Sequence, residues 1–232
     1  MLARHLNEVV AAARAILATH AISFPGLPSA TLAAALNLTA AVHDLAKATS
    51  HFQAYLRNEP YIPALKPHSL LSACYAFHRA QAIPDLPWDD VIPGLIACAV
   101  AGHHGEYPGF PALALAIKRG ITTLHRQLDA LDPAVFALTP GGVSLGPGFT
   151  HEDLDRVARA VADLARSYPR RPLDEKIRHR ILGLFLVSVL LEADRTVLAL
   201  GRLPADPPLP LPATAVPEHV ATLPVYDTEI GR

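Results

Sequence analysis

The chain has 232 residues, of which 51% are hydrophobic and 18% are charged, and its formal net charge is −1 at pH 7. A chain of this length can bury a substantial core within one domain. The near-neutral charge gives no electrostatic signature of nucleic-acid binding, although bound divalent cations would add positive charge that a residue count does not show.

Helical patterns occupy almost the whole chain. Apolar residues at spacings of three and four predict helices at residues 2–20, 30–47, 51–58, 68–81, 93–104, 111–130, 151–167 and 173–200. Ser29 is the expected N-cap of the second helix, and Thr49 or Ser50 that of the third. Gly105, with Pro108 beyond it, is expected to end the fifth helix.

Two segments lack such a pattern. Residues 139–149 are rich in Gly and Pro and predict a loop. Residues 204–232 are dense in Pro and predict an extended tail or linker. The sequence therefore predicts an all-α fold, with a single globular domain at 1–203 followed by the tail at 204–232.

The sequence favours a cytoplasmic protein with no membrane segment. Arg4 and Glu8 interrupt the apolar face of the N-terminal segment, which excludes a signal peptide. The longest apolar stretch, at 181–191, is too short to cross a bilayer. Cys74 and Cys98 lie in apolar helical contexts without CxxC spacing, as expected of small buried side chains in a reducing compartment.

His43 and Asp44 are adjacent metal-ligating side chains at the end of an apolar helical run, and Lys47 follows at helical spacing. A carboxylate can bridge two cations about 3.5–4 Å apart, which is the geometry of two-metal phosphodiester chemistry. Imidazole nitrogen combined with carboxylate oxygen suits Mn, Fe, Co, Ni or Zn, whereas Mg depends more on oxygen ligands. Asp44 is the natural bridge. Lys47 has an alternative role, since a cation in the last turn stabilises the helix dipole.

Five other residues are candidate ligands, each with a structural alternative. The adjacent His103 and His104 can reach one site only near a helix end, where they could instead favour the dipole. Asp194 ends a very apolar run and needs a partner, which is either a cation or Arg195. His68 lies at the start of a helix that Ser69 could cap. A lone His5 in the first helix is also explained by core or surface packing.

The ordered segments that contain these residues resemble one family. An early HL, then HDLAKATSHFQAYL, HSLLSA, AGHHG and a late LEADR are similar to the HD-type nuclease of type I CRISPR interference. That nuclease is part of the CRISPR-associated helicase-nuclease or is encoded separately. The resemblance covers about residues 1–200. One departure is Ala46, where the family favours glycine.

The resemblance implies a helical HD fold and a divalent-metal-dependent nuclease acting on single-stranded DNA, with a helicase and an RNA-guided surveillance complex as partners. It implies two metal ions, of Mn, Ni, Co, Fe or Mg. Asp44 would bridge them, and Lys47 would lie beside the scissile phosphate. The implied metal ligands are His5, His43, Asp44 and Asp194 for one ion, and Asp44, His68, His103 and His104 for the other.

Further expectations concern the surroundings of the centre and the rival functions. Ser69 and Ser188 are candidates for positions beside the centre, and Phe52, Tyr55 and Tyr107 are candidates for stacking against bases. No phosphate-binding loop of the helicase type occurs in the sequence, so the chain is either a separate nuclease or the front of a longer protein. The alternatives are an HD phosphohydrolase acting on nucleotides or cyclic nucleotides, and a catalytically silent adaptor.

Overall fold

The computed structural model describes residues 1–20, 22–24, 26–83, 91–146 and 148–200. Eight α-helices span these residues, with short 3-10 turns between them. They are α1 (Leu2–His20), α2 (Ser29–Val42), α3 (Ser50–Leu56), α4 (Ser69–Gln81), α5 (Ile92–Gly102), α6 (Phe110–Asp129), α7 (His151–Ser167) and α8 (Leu173–Leu200). The described residues contain no β-strand, only two isolated bridges. The all-α, single-domain prediction is confirmed.

Helix α5 lies at the centre of the core. Almost all of its side chains are buried, as expected of a helix that is apolar all round. It packs against α4 most extensively, and also against α8, α2 and α6, while α1 packs against α2 and α8 and α7 packs against α6. Cys74 of α4 and Cys98 of α5 are both buried and free, and burial raises the pKa of each thiol to about 12.

Helix boundaries agree with the sequence patterns except at three ends. The N-cap of α2 is Pro28, so Ser29 is the first helical residue and caps nothing. Thr49 caps α3 as expected, by accepting a hydrogen bond from the Phe52 amide. Helix α2 stops at Val42, and the residues at 45–48 form a separate 3-10 turn. His43 and Asp44 therefore occupy a break between two helical segments, not the middle of one helix.

Helix α5 ends at Gly102, three residues before the expected cap at Gly105. A Cβ at Gly102 would lie 2.9 Å from the Tyr107 backbone, whereas one at Gly105 would meet nothing within 4 Å. Gly102 is therefore the glycine that this turn requires, because it lets the chain fold back across the end of α5. The close approach places His103 and His104 at the helix terminus.

The predicted tail at 204–232 lies outside the described residues, as does the end of the predicted domain at 201–203. Among the residues that the structure describes, no helix combines the length and apolar character needed to cross a membrane.

Gly183 of α8 leaves room for the segment that folds back after α5 and contains Tyr107. A Cβ there would overlap the Tyr107 side chain, whose ring lies beneath the Arg180 guanidinium, with the Arg180 Cζ 5.0 Å from the ring centre. Tyr107 is thus a packing residue that holds the turn after α5, and its stacking on bases stays a prediction. Its ring anchors the loop that contains His103 and His104.

Gly183→Ala should destabilise the protein, because the added methyl group displaces Tyr107 from its packed position; overpacking of this kind costs about 1–3 kcal/mol. Gly120→Ala is the matched control, since Gly120 also lies inside a helix but its Cβ would make only an ordinary contact with Leu70 at 3.5 Å. There alanine should raise the free energy of unfolding by up to about 1 kcal/mol. Urea denaturation of both variants checks the sign, and equal stabilities would contradict the role of Gly183.

Candidate metal centre

Seven side chains from five parts of the fold meet around the Asp44 carboxylate. His5 comes from α1, His43 and Asp44 from the break after α2, His68 from the N-cap of α4, His103 and His104 from the end of α5, and Asp194 from α8. The centre lies mostly inside the protein, with His43 fully buried and Asp44 1% exposed. His104 is exposed and marks the side that faces solvent.

The two oxygens of Asp44 face different groups of nitrogen atoms. Asp44 Oδ2 lies 3.2 Å from His5 Nε2 and 3.4 Å from His43 Nε2. Asp44 Oδ1 lies 3.0 Å from His68 Nε2 and 3.5 Å from His103 Nε2. Each oxygen therefore points into its own cluster, which is the arrangement that a bridging carboxylate requires.

Two ligand groups result. In the first, Asp194 Oδ1 lies 3.2 Å from His5 Nε2 and 3.7 Å from His43 Nε2. In the second, His104 Nε2 lies 2.9 Å from His68 Nε2. Within each group one donor atom from every residue lies within 4.8 Å of the others, so either group could hold a metal ion; the groups are His5, His43 and Asp194, and Asp44, His68, His103 and His104.

Unpartnered polar atoms provide the test of whether a cation fits. Six buried nitrogen and oxygen atoms that could bind a metal ion make no hydrogen bond within the described part of the chain. They are Nε2 of His5, His43 and His103, both oxygens of Asp44, and Oδ1 of Asp194. Several lie within 3.5 Å of one another, but their angles are unsuitable for hydrogen bonds. Buried polar atoms without partners are costly. Lone pairs that converge on common points are what cation binding needs, so the residues fit a metal centre.

Two histidines are oriented by the ends of their own helices. His43 Nδ1 lies 2.8 Å from the Ala40 carbonyl oxygen, and His103 Nδ1 lies 2.5 Å from the Val100 carbonyl oxygen. Carbonyls in the last turn of a helix have no intrahelical partner, so each can accept a hydrogen bond from the ring. With the Nδ1–H groups donating, each Nε2 lone pair faces the centre, which is the usual outer arrangement of metal-binding histidine.

In the protein without metal, the side chains of the centre have shifted pKa values. Burial opposes ionisation of Asp44, but His43 and the neighbouring histidines outweigh burial and hold the pKa of Asp44 far below its usual range. Burial likewise opposes ionisation of Asp194, but the neighbouring His43 and His5 outweigh burial and lower the pKa of Asp194. Burial together with His103 and His68 lowers the pKa of His104 to about 4. His104 is therefore neutral near pH 7 and has a lone pair to offer.

Asp194 lies within α8, which continues to Leu200, in agreement with the helix predicted at 173–200. Its carboxylate faces His5 and His43, while Arg195 is exposed. The surface-pair alternative for Asp194 is therefore not what the structure contains. Glu192 is exposed, as its position two residues earlier on the helix requires.

Lys47 lies on the 3-10 turn after Asp44, and its Nζ is 2.5 Å from Asp44 Oδ2. The Lys47 side chain is 26% exposed, so its ammonium reaches the centre from the solvent side. Gln53 Nε2 donates a hydrogen bond of 2.8 Å to the Lys47 carbonyl and fixes this turn. Ala46 is 1% exposed, which explains why a small residue occupies the position before Lys47.

The serines beside the centre differ from those expected. Ser188 is exposed on α8 and so does not line the buried centre, and Ser69 is only the half-buried first residue of α4. The buried serine is Ser72, whose Oγ accepts a hydrogen bond of 3.0 Å from the Ala46 amide. Ser72 thereby ties α4 to the turn that follows Asp44. Its place in the HSLLSA segment was a signal that the sequence offered.

Gln127 is a second positioning residue that sequence reasoning missed. It is 2% exposed, and its Nε2 donates hydrogen bonds to the Leu65 carbonyl at 3.1 Å and to the Pro67 carbonyl. These bonds hold the segment immediately before His68. The signal was a polar residue on the apolar face of the amphipathic helix α6, next to Leu124 and Leu128.

A protein-family model described as "Cas3, HD domain" matches residues 1–188. The chain belongs to the Cas3 HD-domain family. Searches of curated proteins and of solved structures find no match. The family confirms the resemblance to the HD nuclease of type I CRISPR systems, and makes the protein a CRISPR-associated HD nuclease of a metal-dependent hydrolase family. It also implies a CRISPR-system context with helicase and nucleic-acid partners. Asp194 lies six residues beyond the matched segment, so the folded geometry alone associates it with the Cas3 HD residues.

The stability of the metal-free Cas3 HD domain should depend on pH through His43. Burial opposes the charged form of His43, but Asp44 and Asp194 outweigh burial and raise its pKa from 6.5 to about 9. The pKa of His5 is raised as well, by the neighbouring carboxylates of Asp194 and Asp44. Because the folded pKa exceeds the unfolded one, this stabilisation is complete below about pH 6.5 and is lost as the pH rises through about 9.

Denaturation of chelator-treated protein should therefore show an unfolding free energy that falls across this pH window. Added Mn²⁺ should reduce the fall, because a bound cation replaces the protons as the partner of the carboxylates. An unfolding free energy that stays constant from pH 6.5 to 9 would contradict the assignment.

Proposed function

We propose that the protein is a divalent-metal-dependent nuclease that hydrolyses phosphodiester bonds of single-stranded DNA at a two-metal centre. The observation that carries the proposal is the Asp44 carboxylate: each of its oxygens faces a separate group of ligand-type side chains, and both groups include buried atoms without a hydrogen-bond partner. In the cell the cytoplasm would be its compartment, and a helicase and the RNA-guided surveillance complex would deliver its substrate.

The proposed ligands divide between two ions that share Asp44. His5, His43 and Asp194 complete one site, and His68, His103 and His104 complete the other. Two or three imidazoles per site favour Mn, Fe, Co or Ni over Mg, which prefers oxygen ligands. When bound, the two ions would supply Lewis acidity that lowers the pKa of water and offsets the charge of the phosphate.

The chain's own contribution is to position the substrate on the open side of the centre. His43 and Asp44 are buried, whereas His104 is exposed and Lys47 is partly exposed, so the proposed approach of a phosphodiester is past His104 and Lys47. The Lys47 ammonium already lies against Asp44, where it compensates negative charge in the metal-free protein. With cations on Asp44, repulsion would release the ammonium toward the phosphate, where it would stabilise charge that develops in the transition state.

Asp44→Ala should abolish cleavage and lower bound metal while leaving the helical content unchanged, because it removes the shared ligand. Asp155→Ala is the matched control, since Asp155 pairs with His125 on a different face of the domain. The assay is cleavage of circular single-stranded DNA with a panel of Mn²⁺, Ni²⁺, Co²⁺ and Mg²⁺, alongside metal content per chain. Cleavage retained by Asp44→Ala would refute the bridge.

The same assay separates the rival functions. Intact DNA together with phosphate released from nucleotides or cyclic nucleotides would favour an HD phosphohydrolase with a small substrate. Protein that binds no metal, even with added Mn²⁺, would favour a silent adaptor.

Lys47→Gln should lower kcat by roughly 100- to 1,000-fold, the range for loss of one group that stabilises transition-state charge. Metal content should be retained, because Lys47 is not among the proposed ligands. Lys118→Gln, an exposed lysine of α6, provides the control. An unchanged kcat in Lys47→Gln would exclude a role at the phosphate and leave Lys47 as a charge partner of Asp44 only.

A further inference from the structure

A row of aromatic rings leads from the proposed centre to the protein surface. The His68 ring packs edge-to-face against Phe52, with ring centres 5.1 Å apart. Phe52 packs against Tyr55 at 5.9 Å, and Tyr55 packs against Tyr61 at 5.5 Å, again edge-to-face. The row is therefore continuous, and each step has the geometry of a favourable aromatic pair.

The two outer rings of the row are more exposed than Phe52. Phe52 is 7% exposed, whereas Tyr55 is 38% exposed and Tyr61 is half-buried. Next to the tyrosines lie the exposed apolar side chains of Leu56 and Ile62. Phe52 is thus a packing residue that supports His68, and the two tyrosines form the accessible end of the row.

A specific helix ending creates the tyrosine pair. Helix α3 presents Phe52 and Tyr55 three residues apart and therefore on one face. Asn58, with a φ of 56°, ends the helix in the left-handed conformation, while the Glu59 amide donates 2.9 Å to the Ala54 carbonyl. This is a Schellman ending, in which asparagine is an accepted alternative to glycine. It turns the chain back so that Tyr61 lies against Tyr55.

A lysine ammonium lies near each of the two middle rings of the row, Phe52 and Tyr55. Lys66 Nζ lies over the Tyr55 ring, 3.6 Å from its centre, and Lys47 Nζ lies 5.7 Å from the Phe52 ring centre. Within the described part of the chain Lys66 forms no salt bridge, whereas the nearby Arg57 is paired with Glu59 through two contacts of 2.8 Å. The charge of Lys66 is therefore available to an anion beside the ring.

We propose that Tyr55, Tyr61 and Lys66 form a subsite for a nucleotide of single-stranded DNA next to the scissile phosphate. The inference rests on the proposed nuclease function and identifies where the strand binds. A base stacks on the two tyrosines at the accessible end of the row, and Lys66 pairs with the adjoining phosphate. Lys47 meets the scissile phosphate at the other end of the row. Stacking on tyrosine with a backbone contact is tolerant of sequence, so the subsite accepts any base.

Binding of a fluorescein-labelled 12-nucleotide DNA strand, followed by fluorescence anisotropy in chelator, tests the subsite without cleavage. Tyr55→Leu and Tyr61→Leu should each raise Kd by about tenfold, since they remove the stacking surface. Tyr55→Phe should bind like the wild-type protein, because it keeps the ring. Leu115→Ala, which alters an exposed apolar side chain on α6, is the control. Lys66→Gln should reduce the slope of log Kd against log salt concentration by about 0.7, the value for one phosphate contact on a single strand.

Cleavage provides a second readout. In Tyr55→Leu, the ratio of kcat/KM for the DNA strand to kcat/KM for bis(p-nitrophenyl) phosphate should fall about tenfold, because the small diester has no base to stack. Wild-type protein that cleaves DNA while both leucine variants bind it as tightly as wild type would overturn the subsite and leave the nuclease function standing. Wild-type protein that cleaves no DNA with any metal would remove the nuclease function and the subsite together.

Discussion

Burial of the Asp44 carboxylate is the constraint on which the rest of the structure depends. A carboxylate that is 1% exposed must be compensated, because an isolated buried charge is very costly. The fold brings four histidines within 3.5 Å of its two oxygens, and in three of them, His5, His43 and His103, the Nε2 atom has no hydrogen-bond partner. Protons on His5 and His43 can balance this charge in the metal-free protein. Cations would balance it better, since they also satisfy the unpartnered donor atoms.

Much of the fold could be predicted from the sequence, because amphipathic spacing and N-caps are local signals. The bounds of α1 and the cap at Thr49 follow from such signals. Ends that depend on tertiary contacts could not be predicted in this way. Gly102 ends α5 because the Tyr107 backbone passes over it, a contact between residues whose proximity no periodicity reveals. Asp194 acts from within a helix that continues past it, so its role depends on which face α8 turns toward α1.

At the metal centre, too, some residues could be predicted from local sequence signals and others depend on tertiary contacts. The ligand candidates could be selected from the sequence by residue type and context, whereas the residues that position them could not. Ser72 and Gln127 act through hydrogen bonds to backbone atoms that are distant in sequence. Ser188 has a suitable side chain but lies on an exposed face of α8. The core thus fixes the buried half of the centre. The half that faces solvent includes His104 and Lys47, and with the two tyrosines it is the proposed binding surface for the substrate.

The most direct test of the central claim is a crystal structure of the Mn²⁺-soaked protein with anomalous scattering data. Two peaks are expected on opposite sides of Asp44, with its oxygens shared between them. One peak should lie within coordination distance of His5, His43 and Asp194, and the other within coordination distance of His68, His103 and His104. Peaks absent from this position, or a single ion that does not contact Asp44, would contradict the account.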